Sequence, residues 1–389
     1  MTLRVGIVCD YREEGWPSMD LVAEMLLAEL PLVAPDIQPE PLRPPWRRRA
    51  TRLPAVGATA MARRIDRYSN RYADYSLWLW RRRSSCDVFH VVDHSYAHLS
   101  HVLPPERTLV TCHDVDALRG LADRRGGLSN AMARRILSGL RRAAMVICVT
   151  RATQEDLVSH GWISPDRTMV VHNGVHPAML TPGDSGGCRE LDAMIGPAAG
   201  IELLHVGSTI PRKRVDVLLR AVAEVRRDRP SVRVLRVGGT LTDDQRRLAR
   251  ELGLSGAIVD VPPLASAMLA ALYRRAVLTL LPSEREGFGL PVVESLACGT
   301  PVAASRLPSI VEVGADLVAY APAGDPAAFA SAIRNLLDER DHEPGWWSYR
   351  REEGRRRAQS FRWTDHAADM ADLYRLIGQR CAQAHSVAS

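Results

Sequence analysis

The sequence lacks long apolar runs and has almost no lysine. None of the apolar runs in its 389 residues approaches the ~18 residues that a membrane-spanning helix needs. Lys213 is the single lysine, so arginine carries nearly all of the positive charge. The seven cysteines are scattered and odd in number, which argues against a disulfide framework or a zinc site. No signal-peptide pattern precedes the strand-like run at residues 3–9, and we therefore expect a cytoplasmic protein.

The chain is long enough for two domains with well-buried cores. In both halves, short apolar runs alternate with amphipathic helical patterns. This order predicts α/β domains built on doubly wound parallel sheets. Residues 181–199 are rich in Gly, Pro and Ala, which is typical of a linker. We therefore predict one domain over residues 1–182 and a second over residues 183–363.

The first domain carries an excess of arginine. Between Glu40 and Arg83, twelve arginines stand against three acidic residues, so this stretch is more positive than the whole chain, whose net charge is +6. Residues 56–83 have helical periodicity, with apolar positions at Met61, Ile65, Tyr68, Tyr72, Tyr75 and Trp78. We expect these side chains to pack in the core. The alternatives are an anionic membrane surface, which interleaved arginine and tryptophan would suit, a nucleic acid, for which no motif is present, and a solvated basic face.

Two further predictions concern the residues before this helical stretch. Ser18 is a plausible N-cap of a helix that continues through Leu30. The proline-rich residues 31–54 are predicted to be irregular.

One stretch of the second half is more informative than the rest. The apolar run at residues 276–281 predicts a buried strand, a glycine-bearing loop follows, and Pro291 suits the first turn of a helix that stops at Gly299. Such a helix N-terminus favours anions, because its first amides have no partner and the dipole is positive there. Glu286 and Glu294 flank this loop, and carboxylates accept strongly from hydroxyls such as those of a sugar. On spacing alone, a surface turn with a capping glutamate explains the pattern equally well.

The whole motif resembles the signature of family 4 retaining glycosyltransferases of the GT-B fold. Residues 286–302 read Glu-Gly-Phe-Gly-Leu-Pro-x-x-Glu-x-x-Ala-x-Gly-x-Pro-Val. The resemblance implies that Glu286 is a catalytic residue that contacts, positions and electrostatically supports the donor sugar. It also implies that the loop meets the sugar at Phe288 and Gly289 and the diphosphate at Gly289 and Leu290. Glu294 would hold the ribose.

Two cations stand at the start of the helix predicted after the strand-like run 201–206. A helix N-terminus disfavours cations, so Arg212 and Lys213 make sense there if an anion binds between them. The segment Pro211-Arg212-Lys213 is similar to the Pro-Arg-Lys segment of the family, whose cations grip the donor diphosphate. Family members with this segment form a mannosyltransferase-like subgroup. Similarity to the subgroup implies GDP-mannose as the first choice of donor and a UDP-sugar as the second, with no metal ion or other cofactor. Ser208 stands where some relatives have an arginine.

The resemblance implies further site residues. His113 follows a predicted strand and is similar to the family's histidine near the sugar and the acceptor, which makes it a second candidate catalytic residue. Gly15 and Asp114 are candidates for the acceptor side, and Gly15 stands alone where the family usually has paired glycines. Val261 and Pro262 are candidates for contact with the nucleobase.

The resemblance also implies an architecture and a reaction. The GT-B fold has two Rossmann-like domains that face a cleft, the first for the acceptor and the second for the donor, and the C-terminal helix at 364–389 would cross back to the first domain. A retaining hexosyltransferase is implied, with mannose as the first choice of hexose and a glycan or lipid-linked acceptor in cell-surface polysaccharide or glycoconjugate synthesis. The stretch Arg43–Arg83 adds an expected peripheral contact with the inner face of the plasma membrane, and no nucleic acid is expected. Another GT-B enzyme, such as a nucleotide-sugar epimerase or a phosphorylase, and a non-catalytic partner subunit stay open.

Overall fold

The chain forms two compact units. The structure is a computed structural model, which describes residues 2–54, 57–122, 128–181 and 185–388. Unit 1 comprises residues 1–173 and 363–389, and unit 2 comprises residues 174–362. The predicted domain boundary between residues 182 and 183 lies outside the described residues.

Unit 1 is built on a parallel sheet of six strands in the order β2-β1-β3-β4-β5-β6. The strands are β1 Leu3–Val8, β2 Ile37–Leu42, β3 Val88–Val91, β4 Thr108–Cys112, β5 Met145–Cys148 and β6 Thr168–Val170. The order reverses between β1 and β3, so the loops after these two strands leave the sheet at a topological switch point, where open α/β sheets bind ligands.

Helices pack on both faces of the unit 1 sheet. They are α1 Pro17–Val33, α2 Ala60–Tyr68, α3 Tyr75–Trp80, α4 Asp116–Ala122, α5 Leu128–Arg142, α6 Arg151–Ser159 and, from the C-terminus, α16 Trp363–Ala388. Neighbouring residues of β1 belong to different apolar clusters, because side chains of a strand alternate between its faces. Ile7 lies in the cluster that contains Leu26 of α1 and Tyr374 of α16. Val8 lies in the cluster that contains Leu79 of α3 and Leu137 of α5.

Unit 2 repeats this architecture with the strand order β12-β11-β10-β7-β8-β9, again all parallel. Its strands are β7 Ile201–Val206, β8 Val232–Val237, β9 Ile258–Val261, β10 Leu278–Leu281, β11 Val302–Ser305 and β12 Val318–Ala321. Its helices are α7 Pro177–Leu180, α8 Ser185–Ile195, α9 Val215–Asp228, α10 Asp243–Glu251, α11 Ser266–Arg275, α12 Leu290–Ala297, α13 Pro308–Gly314, α14 Pro326–His342 and α15 Pro344–Ala358. Here the order reverses between β7 and β10. The predicted class, two α/β units with parallel sheets, is confirmed.

The irregular segment predicted over residues 31–54 is partly wrong, because it contains β2. Pro39 and Pro41 made a strand look unfavourable. However, β2 is an edge strand, and the two prolines are two residues apart, so their nitrogens share the side on which no neighbouring strand needs an N–H. Helix α1 also begins two residues earlier than predicted, with Trp16 and not Ser18 at its N-cap.

The helical stretch predicted over residues 56–83 buries a different face from the one expected. Residue 56 lies outside the described residues, and a π-helical turn at Ser69–Asp74 joins α2 to α3. Met61 and Ile65 are exposed, whereas Asp66 and Asn70 are buried. Asp66 accepts backbone N–H groups from Arg49, Ala50 and Thr51. The predicted core packing is therefore confirmed for Tyr75 but wrong for Met61 and Ile65. The side of α2 that faces inward is the one that carries the buried carboxylate of Asp66.

The linker predicted over residues 181–199 is also partly wrong, because α8 occupies most of it. Residues 182–184 lie outside the described residues. The segment before them is tied to unit 2, since the Arg274 guanidinium donates to the carbonyls of Ala178 and Met179.

Candidate functional site

In unit 2, the loops after β7 and β10 meet at the switch point of the sheet. Glu286 lies in the loop after β10, and Lys213 ends a short 3-10 turn after β7. The Lys213 ammonium donates to Oε1 of Glu286 at 2.6 Å, and Nη1 of Arg212 lies 3.4 Å from Oε2. The side chains of Lys213 and Glu286 are about nine-tenths buried, at 11% and 8% exposure. Two cations thus surround one carboxylate, which leaves a net positive charge at the switch point.

Further hydrogen bonds hold this cluster in place. The Ser283 hydroxyl donates to Oε1 of Glu286 at 2.6 Å, and the Ser309 hydroxyl donates to the Glu286 carbonyl at 2.6 Å. The backbone N–H of Glu284 donates to the Arg212 carbonyl at 2.8 Å, which joins the two loops directly. No sequence pattern indicated the hydrogen bonds that Ser283 and Ser309 make to Glu286, because serine is common in any loop.

Gly289 is the N-cap of α12 and has a φ of 89°, in the left-handed region. A Cβ at this position would lie 2.3 Å from Cδ1 of Ile310. A side chain would therefore meet both backbone strain and a close contact. Leu290 begins α12 beside it, so the loop backbone lies open at a helix start.

Gly289→Ala is expected to lower the free energy of unfolding by about 1–3 kcal/mol, because L-residues in the left-handed region are strained. Chemical denaturation of the variant measures the change. Gly345→Ala is the matched control, since Gly345 lies in α15 with open space around its Cβ position, and we expect it to be neutral or slightly stabilising. Equal stabilities of the two variants would contradict the strain assigned to Gly289.

Glu294 and Phe288 are both buried. The Tyr273 hydroxyl donates to Oε2 of Glu294 at 2.8 Å, and Oε1 has no protein partner among the described residues. Burial raises the pKa of Glu294, although the Tyr273 hydrogen bond opposes this. The Phe288 ring packs edge-on against Phe361, with ring centroids 5.8 Å apart. The side chain of Phe288 is therefore part of the core, and only its backbone is left to contact a ligand in the loop.

The ends of β7 and β8 carry buried polar residues that the sequence did not single out, and an exposed carboxylate follows them on β9. His205, Arg236 and Asp260 follow one another across these strands in register. Neither ring nitrogen of His205 has a hydrogen-bond partner in the part of the chain that the structure describes. Burial lowers the pKa of His205 to about 3, with further lowering by the charges of Arg236 and Lys213. Of the two nucleobase candidates at the end of β9, Val261 is buried and Pro262 is exposed.

In unit 1, His113 follows β4 and is buried. Its Nε2 lies 2.7 Å from the Val92 carbonyl, so Nε2 carries the proton and Nδ1 is left as an acceptor. The His113 backbone N–H donates to Nδ1 of His94 at 3.3 Å, and Nε2 of His94 faces Asp114 at 3.7 Å. Burial lowers the pKa of His113. The structure thus brings His113 and Asp114 together around His94.

A buried carboxyl pair lies at the switch point of unit 1. Asp10 follows β1, and within the described ranges neither of its carboxyl oxygens has a hydrogen-bond partner. Burial and the neighbouring Asp93 raise the pKa of Asp10 well above its usual range. Histidine neighbours lower the pKa of Asp93 despite its burial, and Asp93 also accepts from Ser95. The pair therefore holds one proton, on Asp10.

Asp10→Asn is expected to raise the free energy of unfolding by about 1–3 kcal/mol near pH 8, because it replaces an unpaired buried carboxyl with an amide that can donate to Asp93. A raised folded-state pKa contributes stability below the unfolded pKa of Asp and loses it as the pH rises through the folded pKa. The gain should thus shrink toward about pH 4. Urea denaturation across this range measures it, and a gain that does not change with pH would contradict the shared proton.

Gly15 and the arginine-rich stretch lie near this end of unit 1. Gly15 has a φ of 71° and ends a 3-10 turn whose Glu14 accepts from Arg71 at 2.8 Å. Arg82 and Arg83 stack over the rings of Trp78 and Trp80, at 3.9 and 4.5 Å. Part of the predicted basic surface is therefore engaged within the unit. None of the described helices is long and apolar enough to cross a membrane.

Among the residues that the structure describes, no group of three or more His, Cys, Asp or Glu residues is placed to hold a metal ion.

Two family models match successive parts of the chain. The family described as "Glycosyltransferase Family 4" matches residues 28–178, and the one described as "Glycosyl transferases group 1" matches residues 200–339. Each covers less than half of the chain, and together they cover most of it.

Relatives and solved structures agree with these matches. The D-inositol 3-phosphate glycosyltransferase of Acidothermus cellulolyticus is 34% identical over 239 residues, which cover 58% of this chain and 52% of the relative. The chain spans about half the length of the curated relatives that it matches.

Sucrose-phosphate synthase from Thermosynechococcus elongatus has a TM-score of 0.73 at 20% identity, covering 96% of this chain and 99% of that one. HepE from Anabaena, in complex with UDP and glucose, has a TM-score of 0.65 at 16% identity and covers 99% of both chains. At such identities the likeness shows the fold, and this fold is GT-B.

Proposed function

We propose that this chain, a family 4 glycosyltransferase of the GT-B fold by its two family matches and its structural neighbours, transfers a hexose from a nucleoside diphosphate sugar. The observation that carries the proposal is the cluster of Arg212, Lys213 and Glu286. It lies at the switch point of unit 2, beside the starts of α9 and α12, where helix dipoles favour anions. Nearly buried Lys213 and partly buried Arg212 carry two positive charges against the one carboxylate of Glu286, so a second anion such as a diphosphate can bind beside them.

In this mechanism the chain stabilises the leaving diphosphate. The bond between the sugar C1 and the diphosphate oxygen breaks, and Lys213, Arg212 and the backbone at Gly289 and Leu290 neutralise the charge that develops. The acceptor oxygen forms its bond to C1 on the same face, and its proton passes to a phosphate oxygen, so the configuration is retained. Glu286 positions the sugar and supports its developing positive charge.

Further contacts complete the proposed donor and acceptor roles. Oε1 of Glu294 would accept from the ribose, and Val261 and Pro262 would meet the nucleobase. In unit 1, the proposal keeps His113 as a contact of the sugar and Gly15 and Asp114 as contacts of the acceptor. The proposed scheme needs no metal ion or other cofactor, because cations of the chain take the diphosphate charge.

For the donor and the acceptor we propose chemical classes. GDP-mannose follows from the Pro-Arg-Lys segment, and a UDP-sugar is supported by the UDP and glucose bound to the HepE neighbour. The names of the relatives support an inositol phosphate acceptor, which is anionic, as an alternative to a glycan or lipid-linked acceptor. The exposed Leu77 and Trp80 among the arginines of Arg43–Arg83 suit an anionic membrane surface at the inner face of the plasma membrane. Co-sedimentation with anionic vesicles at low salt tests this contact, and protein that stays in solution rules it out.

Donor turnover tests the proposed activity. Wild-type protein is incubated in EDTA with UDP-glucose or GDP-mannose, with and without D-inositol 3-phosphate, and released nucleotide and product mass are followed. The proposal expects acceptor-dependent release of one nucleotide and, by NMR, a product whose anomeric configuration matches the donor. Isomerised free sugar would favour an epimerase, phosphate-dependent cleavage a phosphorylase, and no nucleotide binding a partner subunit.

A further inference from the structure

Unit 2 has a second basic cavity, separate from the cluster around Lys213. It has a volume of about 390 Å³, which falls in the range of small-molecule sites. Its lining consists of three arginines and four small or apolar residues, Arg274, Arg351, Arg355, Leu180, Thr181, Ala297 and Cys298. A neighbouring cavity of about 210 Å³ shares Arg274 and Arg351 and adds Arg275 and Arg340. Among the described residues, no acidic side chain lines either cavity.

The charges of this cavity are largely uncompensated. Nη2 of Arg274 donates to carbonyls of the α7 segment, including Ala178 at 3.0 Å, and Nε of Arg351 donates to the Gly299 carbonyl at 2.8 Å. Among the described residues, no carboxylate pairs with Arg274 or Arg351. Arg355 has one, the exposed Glu352 at 3.1 Å. Burial and the charge of Arg355 lower the pKa of Arg351, as expected where cations crowd without an anion.

A purely structural role accounts for only part of this arrangement. The C-terminal end of α12 attracts cations, and Arg351 donates to the Gly299 carbonyl just beyond this end. This uses one nitrogen of Arg351, and the carbonyls of the α7 segment use one nitrogen of Arg274. The remaining guanidinium nitrogens of both have no protein acceptor among the described residues. Arginine forks match phosphate oxygens in pairs, which is the geometry that these free donors offer.

We infer that this cavity binds a small organic phosphate. The phosphate accepts from Arg274, Arg351 and Arg355, and the carbon skeleton lies against Leu180 and Ala297 at the cavity wall. The site is distinct from the proposed donor site, because Arg212, Lys213, Glu286 and Glu294 do not line it. Helix α12 links the two, since it begins at the Gly289 loop and ends at the cavity.

Calorimetry on the full chain tests the inference, with inorganic phosphate and glucose 6-phosphate as probes against sodium chloride of equal ionic strength. We expect both to bind, glucose 6-phosphate more tightly, in the wild type and in Lys213→Ala alike. Arg351→Gln should weaken binding by about tenfold or more. Arg356→Gln is the matched control, since Arg356 lies on the same helix, is exposed and pairs with Glu353, and it should bind as the wild type does.

Three outcomes overturn the site: no binding beyond the chloride control, binding lost in Lys213→Ala, or equal binding by Arg351→Gln and the wild type. The second would place the phosphate in the donor cluster. If Arg351→Gln fails to fold, Arg355→Gln replaces it, because the one carboxylate partner of Arg355 is exposed Glu352. Retained binding in that variant would equally overturn the site.

Discussion

Glu286→Gln is expected to lower turnover by about 10²–10³-fold while the affinity for the nucleoside diphosphate is kept or rises. The Glu286 carboxylate accepts hydrogen bonds from Lys213 at 2.6 Å and from Arg212 at 3.4 Å. A diphosphate must share these cations with the Glu286 carboxylate. Removing the negative charge of Glu286 therefore strengthens the attraction between the cations and the diphosphate. The carboxylate nevertheless supports the positive charge that develops on the sugar, and an amide does not.

Kinetics and calorimetry on the same variant separate the two effects. Glu284→Gln is the matched control, because Glu284 lies in the same loop, is half exposed and stands 4.0 Å from Arg214. We expect it to leave both turnover and affinity close to the wild type. If Glu286→Gln kept full turnover, or lost nucleotide affinity in proportion to turnover, the role assigned to Glu286 would be wrong.

Lys213→Ala is expected to weaken nucleoside diphosphate binding by about 10²-fold or more, because a nearly buried ammonium makes charge-assisted hydrogen bonds of high value. The thermal stabilisation that a nucleotide gives to the wild type should then vanish at the same ligand concentration. Arg220→Ala is the control, since Arg220 is an exposed cation on α9, the helix that follows Lys213.

The lysine offers a second readout without mutation. Lys213 is the single lysine of the sequence, so reductive methylation followed by mass spectrometry reports on one side-chain amine. Bound nucleotide should protect it. Unchanged methylation in the presence of a nucleotide that stabilises the protein would mean that the diphosphate binds elsewhere.

The sequence predicted the sheets because their strands are buried on both faces and therefore appear as continuous apolar runs. The strand β2 escaped prediction, since an edge strand tolerates Pro39 and Pro41 and buries little. The sequence also predicted the wrong buried face for α2. Periodicity favoured Met61 and Ile65, yet the backbone N–H groups that Asp66 satisfies decided which side faces inward.

For the candidate site, the position of Arg212 and Lys213 at a helix start predicted a nearby anion, and the family resemblance singled out Glu286. The contact of all three follows from the switch point between β7 and β10. Their hydrogen bonds to serine hydroxyls depend on loop conformations that no local pattern encodes. The buried Asp10 and Arg236 were missed for a related reason. A charged residue at a strand end usually faces solvent, and its burial becomes apparent once neighbouring strands are placed around it.

The measurement that tests the central claim most directly is thermal unfolding of the wild-type protein in EDTA with GDP, UDP, ADP or dTDP. A ligand that binds only the folded state raises the unfolding temperature. A donor site built from chain cations predicts that one of these nucleotides, GDP or UDP first, raises it without metal. No shift from any of the four would contradict the claim that this chain uses a nucleoside diphosphate sugar.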